Sequence, residues 1–145
     1  MTASATRELV RRYYDAFNAG DVEAMLDCVA DDVVHDVSQG ERRIGRALFA
    51  AFLRHMNERY RETLSNIVVM TTPDGGHAAA EFDLHGRYLK TDEGLPEARG
   101  QSYQLRVGAF FDVSVGRIAR IATHYNLKDW MTQVSESAIE DGDRA

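Results

Sequence analysis

Two side chains have the type and setting for acid–base chemistry. Tyr13 lies on an apolar stripe of Leu9, Val10, Tyr13 and Phe17, a spacing that predicts an amphipathic helix. Its hydroxyl there either donates to a ligand oxygen or meets a backbone carbonyl as an ordinary core tyrosine. Asp36 ends a short β-branched run, Val33 to Val37, which reads as a strand. An apolar cavity would raise its proton affinity and suit it to work as base or acid. At a turn it would instead cap backbone amides near Gly40. Alternation turns the neighbouring His35 to the opposite face, as a surface or interface histidine.

A second group of residues has the chemistry to hold a ligand. Phe17, Phe52 and Met56 supply apolar wall. His85 shares strand parity with Glu81, Asp83 and Arg87, a pattern that suits a solvated face or a ligand contact. Arg99, before Gly100, either meets an anionic group on a ligand or braces its loop through Glu93 or Glu97. Asn126 could orient Asp36 or a substrate carbonyl. Trp130 serves as an apolar lid offering its indole N–H, as the anchor of a last helix, or as both. His35, His55, His77, His85 and His124 are scattered without HExxH spacing, and there is no P-loop, GxGxxG or GxSxG. No metal, no cofactor and no covalent hydrolase is therefore expected. Cys28 is the only cysteine, which excludes an intramolecular disulfide and fits a small buried hydrophobe.

The elements that must position these groups change period along the chain. The first helix stops at Asn18-Ala19-Gly20-Asp21, where Gly20 suits a left-handed C-cap and Asp21 an N-cap. A short helix follows, about Val22 to Val29, and then the strand Val33 to Val37. Gly40 and Gly45 bracket a charged turn. Leu48, Phe52, Met56 and Tyr60 repeat every fourth residue, predicting a third helix over Ala47 to Tyr60. Strands are then expected at Leu64–Thr71, His77–Leu89, Gln101–Asp112 and Arg117–Asn126, with a loop from Thr91 to Gly100 and a short last helix, Leu127–Val134. Helices first and strands afterwards make an α+β fold, with a single domain over residues 1–135 and an acidic tail over 136–145 that is expected to fray.

Composition narrows the function classes. The 145 residues suit one core, and the balance of 17 basic against 23 acidic residues gives a net charge of -6. No basic stripe offers nucleic acid a surface. No apolar run reaches the roughly 18 residues of a membrane helix, and no export signature opens the chain, so a cytoplasmic protein is expected. Apolar alternation on the sheet's second face suggests burial against another copy of the chain, as a homodimer.

The segment Tyr13-Tyr14-Asp15-Ala16-Phe17-Asn18-Ala19-Gly20-Asp21 resembles the opening helix and turn of the ketosteroid isomerase and SnoaL-like branch of the NTF2-like superfamily. Asp31-Asp32-Val33-Val34-His35-Asp36, followed by Gly45, resembles its next segment. Gly94-Leu95-Pro96-Glu97-Ala98-Arg99-Gly100-Gln101 and Tyr125-Asn126-Leu127-Lys128-Asp129-Trp130 look like motifs of the ketosteroid-isomerase-related proteins. The likeness spans residues 7–134. It implies a cone: three N-terminal helices packed on a strongly curved, mainly antiparallel sheet around an apolar cavity. It implies Tyr13 as oxyanion donor and Asp36 as proton carrier, aligned with a one-residue gap before Gly45; without the gap the position is Val37. The second acid of the steroid isomerases falls on Gly108, which has no side chain to donate.

The function expected on these grounds is cofactor-free proton transfer on a small apolar carbonyl compound, leading to isomerisation or cyclisation. The rivals are a small-molecule-binding or assembly protein without chemistry, and an epoxide hydrolase or dehydratase that activates water.

Overall fold

The computed structural model describes residues 2–144, with side chains over 2–136. The elements run α1 (Ala3–Ala19), α2 (Val22–Leu26), β1 (Val29–Asp36), β2 (Arg42–Ile44), α3 (Arg46–Arg59), β3 (Tyr60–Thr71), β4 (His77–Tyr88), β5 (Gln101–Ser114), β6 (Arg117–His124) and α4 (Leu127–Arg144). The strands form one curved, open six-stranded sheet in the order β2-β1-β6-β5-β4-β3. Every neighbouring pair is antiparallel except β1 with β6. This is the α+β class that the order of elements predicts, in the NTF2-like arrangement that the resemblance implies.

Alternation decides what the sheet encloses. Along β5, Tyr103, Leu105, Val107, Ala109 and Phe111 are buried while Ser102, Gln104, Arg106 and Phe110 are exposed. The buried rows of β4 and β5 meet Tyr13, Tyr14 and Leu9 of α1 in one core. Gly20 takes the left-handed conformation that its C-cap position requires, φ 70°, and Asp21 caps α2 through Ala24 N–H at 3.0 Å. Arg46 ties the start of α3 to the α2–β1 turn by donating to the carbonyls of Leu26 and Val29 at 2.8 and 2.9 Å. Cys28 is buried.

Several boundaries differ from the sequence reading. Strand β1 begins at Val29, where the second helix was expected to continue. A short strand, β2, occupies the charged turn. Helix α3 passes into β3 without a loop, because Tyr60 is already extended (φ -132°, ψ 143°); β3 therefore begins four residues before Leu64. The phase of α3 is also turned: Phe49, Ala50 and Leu53 are buried and Leu48 is exposed. Helix α4 extends beyond Val134. The expected fraying tail over 136–145 concerns residues whose side chains, after Glu136, lie outside the described set. Among the described residues no helix is long and apolar enough to cross a membrane.

Candidate active site

The helices and the concave face of the sheet enclose a cavity of about 920 Å³, a size that suits a small organic ligand. Its wall is largely apolar, with Phe17, Phe52, Met56 and Trp130 among the lining residues. These four therefore stand where the sequence reading puts them.

Two carboxyl groups belong to that wall, Glu62 and Asp92. Glu62, two residues into β3, lines the cavity and receives the Tyr103 hydroxyl at 2.6 Å. Burial raises its proton affinity above the ordinary carboxylate range, and the Tyr103 bond works in the opposite direction. Burial, with the Glu62 charge beside it, holds the Tyr103 phenol protonated. The Trp130 ring packs edge-to-face on Tyr103, with centroids 5.9 Å apart. Glu62 thus sits at the end of a chain of contacts running from Trp130 through Tyr103.

The sheet register explains how the chain is held. Glu62 pairs with Gly86 on β4, and Gly86 pairs with Tyr103 on β5. Tyr103 reaches Glu62 by lying across the strand between them. A Cβ at Gly86 would collide with the Tyr103 ring, so only glycine leaves that path open. The edge strand is fixed from the other side by Asn18. Its side chain donates to Leu64 C=O at 3.0 Å and accepts from Leu64 N–H at 2.8 Å, replacing the missing neighbour strand. Leu64 shares the inward face with Glu62.

Elsewhere the wall holds two cations, Arg43 and Arg61, and several neutral or paired polar groups. Tyr13 and Tyr14 are buried, their rings edge-to-face at 5.3 Å, and burial holds both phenols protonated. The Tyr14 hydroxyl has no partner. His35 is buried between Phe49 and Phe52, whose ring centroids lie 5.1 and 4.5 Å away. Burial chiefly, with the nearby Arg43 charge, lowers its pKa to about 4, so it is neutral at neutral pH. Its Nδ1 and the Ser38 hydroxyl are buried without partners. Farther along, Asp92 accepts from Tyr60 at 2.9 Å and meets His55 Nε2 at 3.0 Å. Among the described residues no three His, Cys, Asp or Glu side chains cluster as a metal site would need.

The structure separates the two residues expected to act together. Tyr13 lines the cavity, but Asp36 does not. Asp36 lies on the other face of β1, gripped by Arg42 at 2.7 and 3.0 Å and by Arg120 at 3.0 Å. The Arg42 hydrogen bonds, reinforced by Arg120, lower its pKa to about 2, which makes it a poor base. The inward residue is His35, the reverse of the expected facing. Strand parity is the reason: once Val33 packs into the core, His35 must follow it and Asp36 must turn away.

Three other expectations are corrected in the same terms. His85 is exposed on the outer face, beside Thr63 and Gln104 in register. Arg99 is exposed and does not line the cavity; its backbone N–H donates to the Gln101 side chain, which stitches the 91–100 loop. Asn126 caps α4, its side-chain oxygen accepting from Asp129 N–H at 3.0 Å. Gly108 also lies on the outer parity, paired with Glu81 and His124. An acid there would miss the cavity, and the inward neighbour is Val107, which lines it. Glu62 escaped the sequence reading because Tyr60 completed the four-residue repeat of α3 and the strand was taken to start at Leu64. Its signal was the apolar parity Tyr60, Leu64 interrupted by one carboxyl.

The SnoaL-like domain family matches residues 10–121. A solved candidate polyketide cyclase of Pseudomonas putida KT2440 is 57% identical, with 92% of this chain and 98% of that chain covered and a TM-score of 0.88. A second, from Xanthomonas campestris pv. campestris, is 51% identical over 92% of this chain and 99% of that chain, with a TM-score of 0.89. An LEH-like epoxide hydrolase of Mycobacterium tuberculosis, at 20% identity over 95% and 89%, shares the fold with a TM-score of 0.73. No curated protein matches the chain.

Proposed function

Because the chain belongs to the SnoaL-like family, we propose that it isomerises or cyclises a small apolar carbonyl compound by proton transfer, with Glu62 as the proton carrier. The observation that carries this reading is the Glu62 carboxyl in a largely apolar cavity wall, its proton affinity raised by burial and its orientation fixed by Tyr103; the wall's other carboxyl, Asp92, is engaged by His55 and Arg59. A carboxylate whose proton affinity is raised by burial is a stronger base than a free one and can return the proton it takes. The names of the two relatives above 50% identity, candidate polyketide cyclases, support the same class.

The steps balance without a further reagent. The Glu62 carboxylate removes a proton from the carbon next to the carbonyl, and the C–H electron pair passes to the carbonyl oxygen as an enolate. Tyr13 or Tyr14, held protonated by burial, donates to that oxygen; a donor aimed at developing charge in a dry site lowers the barrier. The neutral Glu62 then returns its proton to a different carbon; in a cyclisation the enolate carbon instead attacks a second carbonyl carbon of the substrate, whose C=O electron pair passes to its oxygen, and that alkoxide takes the Glu62 proton. Asp36 takes no part, since its two arginines occupy it outside the cavity.

Enolisation has its own readout. Apolar ketones incubated with the protein in D2O should lose their α-proton NMR signals, and Glu62→Gln should slow that exchange by about 10²-fold or more. Equal exchange in the variant would remove Glu62 from the mechanism. A binding protein without chemistry is the second reading, favoured by Val107 standing where an oxyanion acid would be needed; ligand binding with no exchange in any ketone would establish it.

A further inference from the structure

The β1–β2 hairpin presents a set of groups to the cavity that the proton transfer does not use. His35 and Arg43 are directly opposite in the antiparallel register, so their side chains share a face with Cβ atoms about 5 Å apart. Both line the cavity, as does Ser38 just beyond β1. Arg43 has one ion pair, to the well-exposed Glu41 at a long 3.7 Å. The other nearby carboxylate, Asp36, faces away and is held by Arg42 and Arg120. The Arg43 charge is therefore weakly compensated.

The neutral groups beside it are incompletely satisfied. His35 Nδ1 and Ser38 Oγ are buried without a partner, in a protein interior where such atoms are rare and costly. No protein donor holds Nδ1 as an acceptor, so the neutral ring can carry its proton there and offer that N–H to a ligand. A cation, an N–H donor and a hydroxyl converging on one end of an apolar cavity have the chemistry of a carboxylate site. Phe52, against His35, and Tyr60, two residues before Glu62, are eight residues apart along α3 and the start of β3. At ~1.5 Å per helical residue this is ~12 Å of apolar wall between the hairpin and the Glu62 end.

We propose that Arg43, His35 and Ser38 form an anion subsite, and that the substrate is an elongated apolar oxo acid whose carboxylate sits there while its carbonyl lies toward Glu62. This rests on reading the cavity as a ligand site, and it names the class of ligand.

The test is binding, measured by calorimetry at pH 7.5 with decanoate and with 1-decanol, which has the same chain and no charge. Decanoate should bind about tenfold or more tightly than decanol, the gain of a charge-assisted contact. In Arg43→Met that preference should vanish while decanol affinity stays, and Ser38→Ala should reduce it in part. Equal affinity for the two probes, a preference that survives Arg43→Met, or no binding of either would overturn the subsite. Binding requires no proton transfer, so this outcome and the deuterium-exchange outcome for Glu62 are separately readable.

Discussion

His35 and Asp36 are adjacent in the chain and titrate in opposite surroundings, which gives each its own pH window. The His35 pKa falls from the ordinary 6.5 to about 4 on folding. Between those values the unfolded chain binds the extra proton, so stability rises with pH and is fully present above about 6.5. The difference in unfolding free energy between pH 7 and pH 4.5 should shrink by on the order of 2 kcal/mol in His35→Phe, read from denaturant melts of both proteins. Asp36 falls from 3.8 to about 2. Its contribution is intact above about 3.8 and is lost as pH drops through about 2, so Asp36→Asn should alter the acid limb below pH 4 and, by removing a charge that raises the His35 pKa, lower that pKa further.

Strands β3, β4 and β5 act together on the reactive group, and the predictions for Tyr103 and Gly86 belong to that scale. The Tyr103 bond favours ionised Glu62. Tyr103→Phe should therefore raise the apparent pKa on the acid limb of the exchange rate. Gly86→Ala should move the limb in the same direction, because the displaced ring no longer reaches Glu62, and should cost about 1–3 kcal/mol in stability from overpacking. An unchanged limb in both variants would show that the hydrogen bond does not tune Glu62. Asn18→Ala removes two bonds to an edge strand and should lower stability by about 1–3 kcal/mol. The strands themselves were readable from alternation and turn residues. The start of β3 was not, since a helix that passes straight into a strand leaves no Gly, Pro or Asx to mark the junction.

On the outer face of the whole molecule, Met70, Ala79 and Phe110 stand in register across β3, β4 and β5. Met70 and Phe110 are each about half exposed, as is Val68 nearby. Charged pairs surround them, including Arg106 with Glu81 and Asp83 and Arg120 with Asp36 and Asp112. An apolar row rimmed by charge suits a partner surface. We propose a homodimer through this face. Light scattering should give twice the 16.3 kDa chain mass, and Phe110→Glu should return the monomer; a monomeric wild type would remove the proposal.

Periodicity, turn chemistry and motif likeness by themselves determined the α+β class, the family, the inward Tyr13, and the apolar wall of Phe17, Phe52, Met56 and Trp130. These are local properties: a spacing of about 3.6 or 2 residues, and a glycine or aspartate at a cap, act within a few neighbours. Only the tertiary structure decided which face of each strand is the inside. Alternation says that His35 and Asp36 point apart, and Gly108 from Val107, but the face that enters the cavity is set by the helices packed against it. The same holds for Glu62, whose chemistry depends on a tyrosine 41 positions away in the chain, laid across a glycine that sequence spacing does not connect to either.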